Sequence, residues 1–99
     1  MYRLRIVSSA REELDRVPVF YRRALEEAIE KYLRHEPEKG AVNRKRLQPL
    51  AAGFEHEEPL WELRIGEGRV FYDVDAEARA VVIRAIRKKL KHQRTEKII

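Results

Sequence analysis

Arg64 and Arg69 lie on either side of Gly66-Glu67-Gly68, and a basic run of Arg87, Lys88, Lys89, Lys91, His92 and Arg94 follows an apolar stretch near the end of the chain. One reaction suits such groups without a metal or cofactor: attack of an RNA 2′-hydroxyl on the adjacent phosphate. It needs a base, an acid and cations around the pentavalent phosphorus, which positioned Lys, Arg and His side chains can supply. Convergence at one end of a sheet would bring these groups together. The other reading is that Arg64 and Arg69 pair with Glu62, Glu67 or Asp73 across a hairpin, each pair contributing little at a surface. Of the three histidines, only His92 stands in the basic run; His35 ends a helical stretch and His56 lies in an acidic one.

Other chemistries lack their residues. Cysteine is absent, which removes disulfides, thiolate nucleophiles and cysteine-ligated zinc. The phosphate-cradling and dinucleotide glycine motifs, the paired-histidine zinc motif and the serine nucleophile elbow are all missing. Ser8 and Ser9 are the only serines and suit a helix start. Glu55-His56-Glu57-Glu58 reads as a solvated acidic loop, because nothing else with ligand spacing stands near it. No metal or cofactor is expected.

The net charge of +5 is concentrated. Arg44, Lys45 and Arg46 carry +3, and Arg84 to Lys97 carries +6; subtracting these +9 from the chain total leaves −4 elsewhere. Such segregation suits a polyanion, since each neutralised phosphate releases condensed counterions. It also suits a solvated basic tail or an acidic protein partner.

The elements that must position these groups follow from periodicity. Tyr2 to Val7 alternates as a strand with one buried face. Ser9 to Glu12 fits a capping box opening a short helix, and Pro18 fits the first turn of the next. From Val19 to about His35 the residues Phe20, Tyr21, Ala24, Leu25, Ala28, Ile29, Tyr32 and Leu33 form one helical stripe. Tyr21 and Tyr32 are expected in the core or against a partner. A short edge strand is expected around Asn43 to Leu47, within an otherwise loop-like stretch. Leu60–Ile65, a glycine-bounded turn and Arg69–Val74 carry a hairpin signature. Ala80–Ile86 is almost wholly apolar, as in a strand covered on both faces. The expected architecture is one α+β domain spanning residues 1–99. It has an N-terminal strand, a helical hairpin packed on one face of an antiparallel sheet, and then an antiparallel β-meander. The charged fraction of 39% and the lack of a long apolar run argue against a membrane or secretory signal, so a cytoplasmic location is expected. Ile98 and Ile99 are expected to dock on the domain or await a partner.

Leu60-Trp61-Glu62-Leu63-Arg64-Ile65-Gly66, then Arg69-Val70-Phe71-Tyr72-Asp73-Val74-Asp75, then an apolar strand ending in basic residues, resembles the RelE/ParE toxins of bacterial type II toxin–antitoxin systems. The upstream strand, the helical hairpin and Asn43-Arg44-Lys45-Arg46-Leu47 extend the resemblance over nearly the whole chain. It implies a fold like microbial ribonucleases and a cognate antitoxin. In the RelE branch it also implies entry into the ribosomal A site and cleavage of the mRNA there.

By the same resemblance Arg69 takes the place of the arginine that stabilises charge at the scissile phosphate, and Lys88 or Lys89 that of the basic residue after the last long strand. Glu62 and Arg64 stand where RelE has two basic residues, Arg87 where a glycine is usual, and no tyrosine follows Tyr72. The leading expectation is a ribosome-dependent mRNA endoribonuclease. Arg64 and Arg69 would hold the phosphate, and Lys88, Lys89 and His92 would supply charge and proton transfer. Arg44, Lys45, Arg46, Arg87, Lys91 and Arg94 would contact RNA. An unperturbed imidazole, with a pKa of about 6.5, would suit His92 to the role of the missing acid or base. Glu62 is a base, a partner of Arg64, or a partner of an antitoxin arginine. Expected partners are the antitoxin, the ribosome and mRNA, with no membrane. The alternatives are a ParE-like inhibitor of DNA gyrase and a weakly active member that mainly binds its antitoxin.

Overall fold

The computed structural model describes residues 1–49, 51–89 and 94–99. Strand β1 (Arg3–Ile6) leads directly into α1 (Ser8–Asp15), and α2 (Val19–Ala28) continues into a wider π-helical turn at Ile29–Leu33. A short β2 (Arg44–Arg46) precedes the meander of β3 (Trp61–Ile65), β4 (Gly68–Asp75) and β5 (Ala80–Lys88). A 3-10 turn at Thr95–Lys97 follows. The five strands form one sheet in the order β1-β5-β4-β3-β2. This is the α+β architecture that the periodicities imply.

The sheet is mixed where an antiparallel one was expected. β1 runs parallel to β5, from Arg3 beside Ala80 to Ile6 beside Ile83, while the other three pairings are antiparallel. β5 is apolar on both faces and buried over most of its length, so it gains from a neighbour on each side. The course of the chain between β1 and β5 sets the direction in which that neighbour arrives.

Each face of the sheet has its own apolar layer. On one face Trp61, Leu63, Val70, Tyr72, Val81, Ile83 and Ile86 meet Ala10, Leu14, Leu25, Ile29 and Leu33 from the helices. Tyr72 is fully buried there; its hydroxyl donates to the Pro37 carbonyl at 2.6 Å, and its ring stacks on Trp61. On the other face a smaller layer of Leu47, Leu60, Phe71 and Ala85 is completed by Phe54, Ile98 and Ile99. Ile98 and Ile99 therefore dock on the domain. The backbone N–H of Gly53 donates to the Ile99 carbonyl at 2.8 Å.

Two local expectations are corrected. Ser9 does not cap α1: Val7 is the cap residue, and no side-chain capping bond forms. The Val7 N–H is still held by the Ile83 carbonyl, and its own carbonyl already accepts from Arg11. The helix thus starts directly at the strand end, and both serines fall within its exposed first turn. The second helix does not run uniformly to His35, because its last turn widens at Ile29. Phe20 and Tyr21 are exposed, at 81% and 64%, and their rings meet edge-to-face, so of the two expected settings for Tyr21 the core is not the one it takes. Leu25 already lies over Gly68 at the hairpin end, so the helical turn before it has no sheet beneath it.

The β3–β4 turn has Gly66 at its first central position with φ of +56°, the backbone a tight hairpin of this length requires. A register shift opposite Phe71 and Tyr72 leaves Arg84 as an extra residue on β5. That bulge brings Arg84 to Asp73, with Nε 2.7 Å from Oδ2. Among the described residues, no helix is long and apolar enough to cross a membrane.

Candidate nucleic-acid interface

Strand alternation puts Glu62 and Arg64 of β3, Arg69 and Phe71 of β4, and Ala85 and Arg87 of β5 on the face away from the helices. The register then sets three arginines abreast: Arg64 is opposite Arg69, and Arg69 is opposite Arg87. Like charges placed directly opposite destabilise a sheet, so the row carries a cost that a bound polyanion would offset.

Each arginine is held differently. Arg64 is exposed, and its backbone N–H donates to the Asn43 carbonyl at 2.7 Å. Arg69 is buried at 7% exposure, and its Nη1 donates to the carbonyls of Gly66 and Gly68 at 2.7 and 2.9 Å. Its Nε has no acceptor among the described residues; the Glu62 carboxylate is 3.9 Å away, outside hydrogen-bond range. Burial lowers the Arg69 guanidinium from its ordinary pKa, and Glu62 opposes that shift. Arg87 pairs with Glu13 of α1, donates from Nε to the Ile98 carbonyl at 2.8 Å, and lies over the Phe54 ring.

Lys45 is exposed and in register with Glu62. Beside them a cleft of about 390 Å³ is lined by residues 40–46 together with Glu62 and Arg64. Glu62 is almost completely buried and accepts from the Thr95 hydroxyl at 3.2 Å. The C-terminal turn thus reaches across the arginine face. The arrangement can hold phosphates and offers one carboxylate beside them.

Not every anticipated residue joins this set. Arg64, Arg69, Arg87 and Lys45 come together. Arg44 is turned the other way and buried: its guanidinium stacks on Tyr32 and donates to the Glu36 carbonyl at 2.6 Å. It braces the helical side, so its buried guanidinium does not join the arginine row. Arg46, two residues on, shares that side but is exposed. Lys88 is exposed, 3.7 Å from Glu67 at the hairpin turn, and Lys89 donates its backbone N–H to the Glu67 carbonyl. Arg94 is exposed. Lys91 and His92 lie outside the described residues.

Glu13 and Thr95 were not anticipated here. Glu13 sits in a helix with no sequence signal linking it to β5, yet its carboxylate holds both the Ile86 N–H and Arg87. In the acidic loop, His56 Nε2 lies 2.8 Å from Glu58, and the Glu57 N–H donates to Asp73. Among the described residues, no group of three or more His, Asp or Glu side chains could hold a metal ion.

The α+β domain, with its helices on one face of a five-stranded sheet, has the fold of solved RelE structures. The chain belongs to the phage-derived Gp49-like protein family (DUF891), whose model matches residues 12–98. Solved structures agree. The RelBE2 toxin–antitoxin complex of Mycobacterium tuberculosis is 27% identical with a TM-score of 0.71, covering 89% of this chain and 98% of that one. The isolated RelE toxin of E. coli gives a TM-score of 0.73 at 16% identity, over 94% and 89% of the two chains. The archaeal RelE–RelB complex of Pyrococcus horikoshii gives 0.69 at 22% identity, over 93% and 98%. No curated protein matches the chain by sequence.

Proposed function

We propose that this chain is the toxin of a type II toxin–antitoxin pair and acts in the cytoplasm as a ribosome-dependent mRNA endoribonuclease. The observation that supports this most is the row of Arg64, Arg69 and Arg87 across three adjacent strands. Cations fixed before substrate arrives stabilise the charge that develops on a phosphoryl group without reorganising during the reaction. Lys45, Lys88 and Arg94 extend the positive surface toward ribosomal RNA. Lys88, Lys89 and His92 are the anticipated sources of further charge and proton transfer.

The partner is an antitoxin whose acidic or amphipathic tail folds onto the basic face. The M. tuberculosis and P. horikoshii relatives are both toxin–antitoxin complexes. The gyrase-inhibitor reading gains no support, since the relatives above are RelE chains.

Induced expression followed by mapping of mRNA 5′ ends tests the reading. Cuts within codons under translation are expected, together with their loss in Arg69→Ala. Intact transcripts with arrested DNA replication would overturn it.

A further inference from the structure

We infer that Glu13 of α1 is a positioning residue for the reaction proposed above: it holds Arg87 where that arginine meets the phosphate next to the one that Arg69 takes. The inference rests on the ribonuclease reading. β1 covers the edge of β5 only from Ala80 to Ile83. Beyond Ile83 that edge is met by α1, and Glu13 supplies acceptors there in place of a strand. One carboxylate oxygen accepts the Ile86 N–H at 3.0 Å, and the other takes Arg87 Nη1. The carboxylate is thus a fork on two consecutive residues of one strand, aimed by a backbone amide that the sheet keeps in place.

The direction of the pull matters. Arg87 Nη1 also donates to the Ile86 carbonyl at 3.2 Å, whose residue Glu13 holds from the same edge. Arg69 Nη1 is drawn instead to the Gly66 and Gly68 carbonyls of the hairpin turn. The two residues are directly opposite in the ladder, with Cα atoms about 5 Å apart, yet their guanidiniums are anchored in different places. A pair anchored in this way suits two successive phosphates better than two oxygens of one. Arg87 Nε is engaged by the Ile98 carbonyl at 2.8 Å. That leaves Nη2, which has no acceptor among the described residues, to meet a phosphate oxygen. A guanidinium presents five N–H donors in a rigid fork, so one edge can pair with a carboxylate while the rest stays available to an anion.

Charge gives this role a sign of its own. A carboxylate near a polyanion site repels the ligand, so its removal should by itself strengthen RNA binding. A carboxylate that aims an arginine does the opposite, because without it Arg87 regains the rotamer freedom of a long side chain at a strand end. Arg87 also stands where the resemblance to RelE has a glycine. The pair is therefore this chain's own addition to the arginine face.

A double-mutant cycle tests this, read by single-turnover cleavage of mRNA on programmed ribosomes and by affinity for single-stranded RNA. Glu13→Gln keeps the volume of the side chain but turns an amide NH₂ toward one of the two donors. It should cut about 10–10²-fold more slowly, the cost of misplacing a group remote from the breaking bond, and its RNA affinity should fall. Arg87→Gln should lose at least as much, and Glu13→Gln added to Arg87→Gln should cost nothing further. Glu13→Asp keeps the charge and withdraws the fork by one methylene, so it tests the role even if the amide fails to fold. It should cut about tenfold more slowly beside Arg87, and no more slowly than its parent beside Arg87→Gln. Wild-type cutting by Glu13→Gln or by Arg87→Gln overturns the inference alone, as does tighter RNA binding by Glu13→Gln. So does an equal loss with Arg87 and with Arg87→Gln, which would make Glu13 a brace for Ile86 and no more. A wild-type chain that cuts no mRNA overturns the function and this inference with it.

Discussion

Arg69 stands directly opposite Arg87 in the β4–β5 ladder. No carboxylate lies between them in that pairing; each guanidinium is fixed from its own side. Arg69 is held by the carbonyls of its hairpin turn and Arg87 by Glu13 and the Ile98 carbonyl. Backbone carbonyls aim Arg69 without neutralising it. The fold thereby keeps a full positive charge in a fixed place, as a phosphate site requires.

Removing the exposed member of the row should change RNA affinity and little else. For Arg64→Gln, the slope of log affinity against log salt for single-stranded RNA should fall by about 0.7 for the lost phosphate contact. Stability should stay within about 0.5 kcal/mol, as the side chain is exposed. Titrations at several salt concentrations measure the slope; an unchanged slope would remove Arg64 from the interface.

Asp73 carries more of the fold than a surface pairing would. It is buried, and it joins the bulged Arg84 to the backbone of the acidic loop. Asp73→Ala leaves Arg84 half-buried without its partner, a loss of about 3–5 kcal/mol for a buried pair. Urea unfolding should show the midpoint dropping with little change in slope.

Burial raises the Tyr72 phenol well above its ordinary pKa of 10.0. A phenol held neutral by the fold ionises more readily once unfolded, so its contribution is intact below about pH 10 and declines as pH rises further. Tyr72→Phe should remove that part of the alkaline instability. At neutral pH it should cost about 1–3 kcal/mol, because the Pro37 carbonyl loses its donor. Denaturation curves of both proteins at neutral and alkaline pH supply the comparison.

Gly68 is required for space. A Cβ there would meet Leu25 Cδ2 at 2.9 Å and the Ile65 carbonyl oxygen at 3.1 Å. Gly68→Ala should destabilise by about 1–3 kcal/mol through overpacking, and shortening Leu25 to Val in the same chain should recover part of the loss. Thermal unfolding of the single and double variants would decide it.

The hairpin was legible because its signals are local: alternation on both strands and a glycine where the turn needs positive φ. β2 was legible as a strand but not in its facing. Whether Arg44 points to the helices or to the arginine face depends on Tyr32 and the Glu36 carbonyl, which only the fold brings near. The bulge at Arg84 was hidden within an apolar run, because nothing in alternation marks a residue that drops out of register. Tyr21 carried the right helical spacing, yet spacing says nothing about where the sheet beneath a helix ends. The arginine row joins residues that the hairpin pattern pairs, Arg64 and Arg69, to one that it does not, Arg87. Its third member needed the β4–β5 register.

Both margins of the sheet are basic. β1 carries Arg3 and Arg5, and β2 is Arg44-Lys45-Arg46. Unpaired strand edges recruit other chains, and positive charge along an edge discourages that pairing. Lys45, which the ribonuclease reading turns toward RNA, therefore also guards this edge against aggregation. A toxin variant stripped of charge at Lys45 and Arg46 should lose solubility as well as affinity. Loss of toxicity in such a variant should be read only beside its monomer fraction.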